Sequence, residues 1–406
     1  VIQKLLRNIV AFLFRLGSLV FESVATSASN KWRATLDALG KVFFMKKLLP
    51  VVFSALLPLF TLACKKEEPP PAPAVEEKAP AAASSAPAAA PAPAPTPTGP
   101  ALKVAYSDWP GWIAWDIGIQ KGFFKDAGVA VEFVWFDYLP SMDAFSAGKV
   151  DAVTVTNGDA LITGSSGAPS KCILNNDFSN GNDMIVAKPG IKSVADLKGK
   201  KIGVEVGLVD HLLLLKALES AKLTEKDVII KNVVTNDTPQ ALAKGGYDAI
   251  AAWQPSSGQA LKDVPGSTAI FTSADVPGLI FDQLCVNPKS LAERRADWVK
   301  IVKVWFQIAD FIKDPKNVDE AAKIMGARVK LSGEEYKKLM GGTAYLDLEG
   351  NLKSWKKGEG FDSVFGSSKA VDAFFVKNKM YKAPVKYEEF FDPSVIEEVA
   401  KAAGKL

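Results

Sequence analysis

Eight carboxylates and four tryptophans fall in a few short polar segments: Asp108, Asp116, Asp159, Asp177, Asp183, Glu205, Asp210 and Asp282, with Trp109, Trp112, Trp115 and Trp253. Those segments read SDWPGWIAWD, TNGDA, NNDFSNGND, EVGLVDH, WQPSSG and LIFDQLCVN, and none contains a lysine or arginine. An anion site needs Arg, Lys or free helix N-termini. Carboxylates with indole faces suit the opposite, a planar cation rich in N–H groups that can fork onto carboxylates and stack on Trp. A desolvated charge-assisted hydrogen bond contributes about 1.5–3 kcal/mol. Two of them plus a cation–π contact support roughly micromolar binding.

Other chemistries are thin. The chain has one histidine, His211, and three cysteines, Cys64, Cys172 and Cys285. That excludes His-rich metal sites and zinc ribbons, and no cofactor is expected. Lys and Arg total 49 against 45 acids, with no recurring basic cluster, so nucleic acid is not an expected partner.

The elements that must position the acids alternate. LKVAYS, VAVEFVWF, VDAVTVT, KCILNND, MIVAK, KKIGVEV, VIIKNVV and YDAIAAW read as strands, separated by helical stretches. Trp112–Phe124 reads as one helix entered through Pro110-Gly111. After Asn287 the pattern is mainly helical, with ERRADWVKIVKVWFQIADFIKD close to a 3.6 period. Alternation argues an α/β fold with mostly parallel, helix-flanked sheet. Some 300 such residues exceed one core, so two lobes are expected. Ligands of open α/β sheets sit at strand carboxyl ends, where the polar segments fall.

Each candidate also has a plainer role. Asp108 and Asp177 can cap turns. Asp116 suits a helix dipole and Asp159 opens a helix. Trp115 and Trp135 are expected in the core; Trp109, Trp112 and Trp253 are expected at the ligand. His211 opens an apolar helix, where a capping or hydrogen-bonding role competes with the pocket. Cys172 and Cys285 read as buried strand thiols; an exported compartment would permit a disulfide.

Upstream, eleven of the 25 prolines lie between Lys65 and Pro100, in a stretch without large apolar residues. Such a stretch reads as an extended linker with polyproline II character. Before it, Met45-Lys-Lys, an apolar run from Leu48 to Leu62 and Ala63-Cys64 describe a secretory signal too short for a comfortable membrane span. FTLAC resembles a lipobox, with Thr61 where Leu is usual, which implies acylation of Cys64. Residues 1–44 are expected to be an upstream extension, Met45 being the initiator; a membrane-surface helix is the alternative. Residues 1–63 carry 8 Lys and Arg and 2 acids, which leaves 41 basic against 43 acidic groups from Cys64 onward. The remaining chain is close to neutral.

KGFF at Lys121–Phe124, AGKVDA at Ala147–Ala152 and DLKGKKIGV at Asp196–Val204 resemble, in order and spacing, the nitrate/sulfonate/taurine-type substrate-binding proteins of ABC importers. GWIAW, TNGDAL, DFSNGND, the His-initiated helix and the AWQP turn look more narrowly like the solute-binding proteins associated with urea carboxylase-type enzymes. The resemblance implies a type II-like, two-lobed Venus-flytrap with a helical C-terminal part. Lobe 1 would comprise 101–183 and 281–406 and lobe 2 184–280, with DFSNGND and LIFDQLCVN as hinges. Residues 45–63 would be the lipoprotein signal and 64–100 the acylated cysteine plus linker. It implies a monomeric, periplasmic, lipid-anchored protein whose partners are a small-molecule ligand and the permease and ATPase subunits. The expected ligand set is Asp108, Trp109, Trp112, Asn157, Asp159, Asn182, Asp183, Glu205, His211, Trp253 and Asp282, with no catalytic or metal-binding residue. The ligand is expected to be a guanidine- or urea-like solute, with a sulfonate- or nitrate-type anion as the alternative. A pyrimidine-synthase-like enzyme would share the fold but need a pocket lysine. A sensory ligand-binding module would need a signalling segment that the residues up to Leu406 do not contain.

Overall fold

A computed structural model describes residues 99–406. The upstream extension, the signal, Cys64 and nearly all of the linker lie outside the described residues.

Among the described residues eleven strands form two sheets. The first contains β1 (Leu102–Tyr106), β2 (Val131–Trp135), β3 (Ala152–Thr156), β4 (Lys171–Ser179), β10 (Phe281–Val286) and β11 (Thr343–Tyr345). The second contains β5 (Met184–Ala187), β6 (Lys201–Val204), β7 (Ile229–Asn232), β8 (Ala249–Ala252) and β9 (Thr268–Thr272). Their orders are β11-β4-β10-β3-β1-β2 and β7-β6-β8-β5-β9. The central strands β3, β8 and β10 are buried along their whole length, as strands covered on both faces must be, whereas β7 at an edge is mostly exposed.

The sheets are mixed rather than mostly parallel. β1 runs parallel to β2 and β3, but β10 is antiparallel to both β3 and β4. In the second sheet β6 is parallel to β7 and β8, while β5 is antiparallel to β8 and β9. The cause is the path of the chain. It leaves the first sheet after β4 and returns through β10, so strands beside the two crossings enter against the parallel run. Side chains tie the crossings together. The Ser179 and Ser273 hydroxyls stand 2.6 Å apart, and the Gly181 amide donates to Ser273 Oγ at 2.7 Å. Gly181 holds φ +122°, a conformation open to glycine and unfavourable for other residues.

Cys172 and Cys285 form a disulfide, being direct partners on the antiparallel β4–β10 pair. They are not the free thiols expected from strand burial alone. The stretch expected as one helix over Trp112–Phe124 is three short turns, Pro110–Ile113, Trp115–Gln120 and Phe123–Asp126. Trp115 packs fully buried against Phe124, Phe133 and Trp305. Trp135, expected in the core, is 37 % exposed on the outer strand β2. The helical C-terminal part includes Arg295–Lys313, whose Trp298, Ile301, Val302, Trp305, Ile308 and Ile312 face inward at helical spacing. Among the described residues no helix is long and apolar enough to cross a membrane.

Candidate functional site

The carboxyl ends of β1 and β3, the crossing strands β4 and β10, and the carboxyl ends of β6 and β8 meet at one place. Trp109 follows β1, and Pro110 at the first helical position turns the chain so that Trp112 points inward. Trp112 lies against Tyr138, with ring centroids 5.3 Å apart, and Tyr138 meets Trp253 edge to face at 5.4 Å. Trp253 comes from the second sheet, so this aromatic wall is built by both. Its indole N–H donates to Asp108 Oδ1 at 3.1 Å, a buried link between the two sheets.

The wall closes around a small cavity of about 10 Å³, room for about one water molecule. Trp109, Trp112, Tyr138 and Thr156 line it from the first sheet, with Asp282 at the start of β10. Asp183, Val209 and Trp253 complete it from the second crossing and its sheet. Behind the lining, Trp109 Nε1 donates to Asp177 Oδ1 at 3.0 Å, and Tyr138 Oη donates to Asp159 Oδ2 at 2.7 Å. The Thr156 amide donates to the same Tyr138 oxygen, and Thr156 Oγ1 caps the next helix by accepting from the Asp159 amide.

Polar atoms are left over. Asp159 Oδ1, Asp177 Oδ2, Asp183 Oδ2, Asp282 Oδ2, both Asp210 carboxyl oxygens and the Trp112 indole N–H have no hydrogen-bond partner among the described residues. All six residues are at most 2 % exposed. Orphaned buried polar atoms are rare in proteins and need an explanation. Burial is the main cause that raises the carboxyl pKa values here: Asp108 to about 6 and Asp159 to about 7. Asp177 and Asp183 rise for the same reason, and Asp210 and Asp282 rise well above the usual range, with neighbouring acids adding to the effect. No lysine or arginine lines the cavity. Among the described residues no group of three or more His, Cys, Asp or Glu side chains stands in metal-holding geometry.

Of the eleven residues expected at the ligand, Trp109, Trp112, Asp183, Trp253 and Asp282 line the cavity, and Asp108 and Asp159 stand one hydrogen bond behind it. The other four are engaged within the fold. Asn157 donates to Ser367 and Ser368 and accepts from the Phe281 amide. Asn182 donates to the Leu339 carbonyl and Thr343. Glu205 accepts from the amide and hydroxyl of Thr235. His211 Nδ1 accepts from the Gly207 amide at 3.2 Å while its buried Nε2 has no partner among the described residues, and burial lowers its pKa. Sequence reasoning left out Tyr138, Thr156 and Val209. It noticed Asp177 and Asp210 as acids without placing them at the ligand. A tyrosine directly after Asp137, at the end of β2, was the available signal for Tyr138. Asp177 reaches its position because Gly111 has no side chain: a Cβ there would lie 1.8 Å from Asp177 Oδ2.

Comparison with known proteins places this architecture. The family model described as "NMT1/THI5 like" matches residues 112–317. The chain belongs to the NMT1/THI5-like family. A binding protein of Brucella abortus (strain 2308) is 27% identical over 251 residues, covering 60% of this chain and 78% of its own length. Among solved structures, the alkanesulfonate-binding protein SsuA from Xanthomonas axonopodis pv. citri, bound to MOPS, superposes with a TM-score of 0.60 at 15% identity. That match covers 73% of this chain and 99% of SsuA. The periplasmic nitrate-binding protein NrtA from Synechocystis PCC 6803 matches with a TM-score of 0.61 at 13% identity, over 76% of this chain and 90% of its own. This NMT1/THI5-like chain therefore has the two-lobed fold of periplasmic binding proteins.

Proposed function

We propose that this chain is the extracytoplasmic substrate-binding protein of an ABC importer and that it captures a small, N–H-rich cationic solute of the guanidine or urea type. The observation that carries the ligand class is the set of orphaned buried carboxylate oxygens around a cavity that no lysine or arginine lines. A guanidinium ion supplies planar N–H forks to Asp183 and Asp282 and a face for Trp112 or Trp253. The orphaned Trp112 N–H would serve a carbonyl oxygen on a urea-like ligand equally well. The cavity of about 10 Å³ has room for about one water in this state, so even a small ligand enters only as the lobes part.

The two-lobed fold supports capture by closure. In this reading residues 101–183 and 281–406 form one lobe and 184–280 the other, with the segments 177–183 and 279–287 as the hinges. Cys64 carries the lipid, residues 65–100 tether a monomer to the membrane, and permease and ATPase subunits receive the ligand. The Cys172–Cys285 disulfide supports an oxidising compartment such as the periplasm. An enzyme of the pyrimidine-synthase kind lacks support, since no lysine lines the cavity.

A thermal-shift panel of guanidinium, urea, nitrate and taurine tests the reading, because a ligand that binds the native state raises its melting point. Guanidinium or urea is expected to stabilise; nitrate and taurine are expected not to. In calorimetry Asp183→Asn and Trp112→Ala are each expected to weaken binding by at least about tenfold. Stabilisation by nitrate or taurine alone would reverse the ligand class to an anion, in line with the ligands that the similar solved structures are named for.

A further inference from the structure

Two of the acids around the cavity stand directly opposite each other in the sheet. Asp177 and Asp282 are direct partners across the β4–β10 pair, so their buried side chains stand next to each other on one face of the sheet. Two ionised carboxylates placed side by side away from water repel each other, which favours holding one of them as the carboxylic acid.

The surroundings favour keeping that proton. From β4 and the first crossing, Asp183 faces the pair; from the helix after β3, Asp159 faces Asp282. From the second sheet's side, Asp210 and Glu205 extend the same acidic field. Trp109 donates to Asp177, and the Tyr345 hydroxyl near it donates to the Pro110 carbonyl. The basic side chain on the neighbouring face of β1, Arg328, is engaged by Asp116 and Tyr106. The Trp112 N–H, buried and without a partner among the described residues, lies on the cavity wall and marks the space as one meant for a polar occupant.

We propose that capture at this site is an exchange: the incoming guanidinium-type cation displaces the proton shared by Asp177 and Asp282, and about one proton leaves to solvent for each ligand bound. This rests on the cationic reading of the site. The step balances without redox chemistry. A carboxyl O–H bond breaks, the proton passes to water or buffer, and an N–H of the ligand takes its place against the freed carboxylate. Because the cation binds the ionised pair, affinity rises about tenfold with each pH unit over the range where the pair still holds its proton. It levels off above that range.

The free protein carries a second signature with its own sign. The buried acids bind protons more tightly folded than unfolded, so native protein holds more protons between about pH 4 and the raised values near 6–7. Stability therefore falls as pH rises through that window.

Calorimetry of the full chain with millimolar guanidinium chloride at pH 6, in two buffers of different ionisation enthalpy, tests the exchange. The expected result is a buffer-dependent heat equal to about one proton released per guanidinium, with affinity rising about tenfold from pH 5 to 6. Asp282→Asn should bind more weakly and release almost no proton. Identical heats in both buffers, with binding intact, overturn the exchange and leave the ligand class standing. Melting of wild-type protein without ligand from pH 5 to 7.5 supplies a measurement that needs no variant to fold. The melting point should drop by several degrees, and a flat profile overturns the shared proton. A falling profile with no guanidinium heat at any pH overturns the ligand class and the exchange with it.

Discussion

Two places in the first sheet's half combine carboxylates with indole and phenol rings, and they differ in one component. Beside β1 and β2, Asp116 meets a guanidinium, that of Arg328, at 3.4 Å. The same guanidinium lies over Trp135 at 4.7 Å and over Tyr106 at 5.2 Å. Tyr106 completes the cage with a hydrogen bond to Asp116. At the cavity the carboxylates and rings recur in Asp183, Asp282, Trp109, Trp112 and Trp253, but no cationic side chain enters. The outcome for the acids differs accordingly. Asp116 is raised by burial and pulled back by Arg328, whereas Asp282 is raised by burial and raised further by its acidic neighbours. The molecule thus contains its own example of a guanidinium satisfying this kind of surface, next to an instance built without one. The filled cage contributes to folding; the other keeps its binding capacity for something that arrives from outside.

The comparison can be broken most forcefully at Gly111. In Gly111→Ala the new Cβ would collide with Asp177, so the acid must move away from Asp282 and Trp109. Guanidinium affinity should drop by about a hundredfold or more in calorimetry, while the Arg328 cage stays intact. Unchanged affinity would detach Asp177 from the site. Next in size, Arg328→Gln empties the filled cage. It should cost about 1–3 kcal/mol in a denaturant midpoint, from the unpaired, mostly buried Asp116, and leave guanidinium affinity unaltered. A loss of affinity equal to that at the cavity would mean the two places are one functional unit. Trp135→Ala should be the mildest, about 0.5–1 kcal/mol of stability from the lost cation–π contact of a half-exposed ring.

Much of the architecture was legible because periodicity and turn residues report local structure. The strand at KCILNND and the long helix after Arg295 appear close to where their patterns put them. Strand direction was not legible, since a buried strand reads the same parallel or antiparallel; β10 looks like any other apolar run. The short strand β11 was hidden in a helical context and exists because it pairs with the end of β4. Trp135 was misplaced because hydrophobicity does not distinguish a core ring from a platform for arginine. At the site, residue type identified Trp112 and Asp183, but side-chain direction decided the rest. Asn157 and Asn182 carry the right chemistry and spend it on Ser367, Ser368 and Thr343. Asp177 became a partner of Asp282 only through a pairing across a sequence gap that no local pattern encodes.

The disulfide gives that gap a further meaning. Cys172 and Cys285 are 113 positions apart and bracket everything that builds the second sheet. Covalently, the second sheet is one closed loop hanging from a clasp on the first. Closing a loop of that length removes about 4–5 kcal/mol of entropy from the unfolded chain. In the unfolded chain the clasp holds the two sides of the loop's neck close together. Asp177 and Asp282 sit five and three residues inside that neck, so the disulfide keeps the two acids within short reach of each other even when the sheets are unfolded.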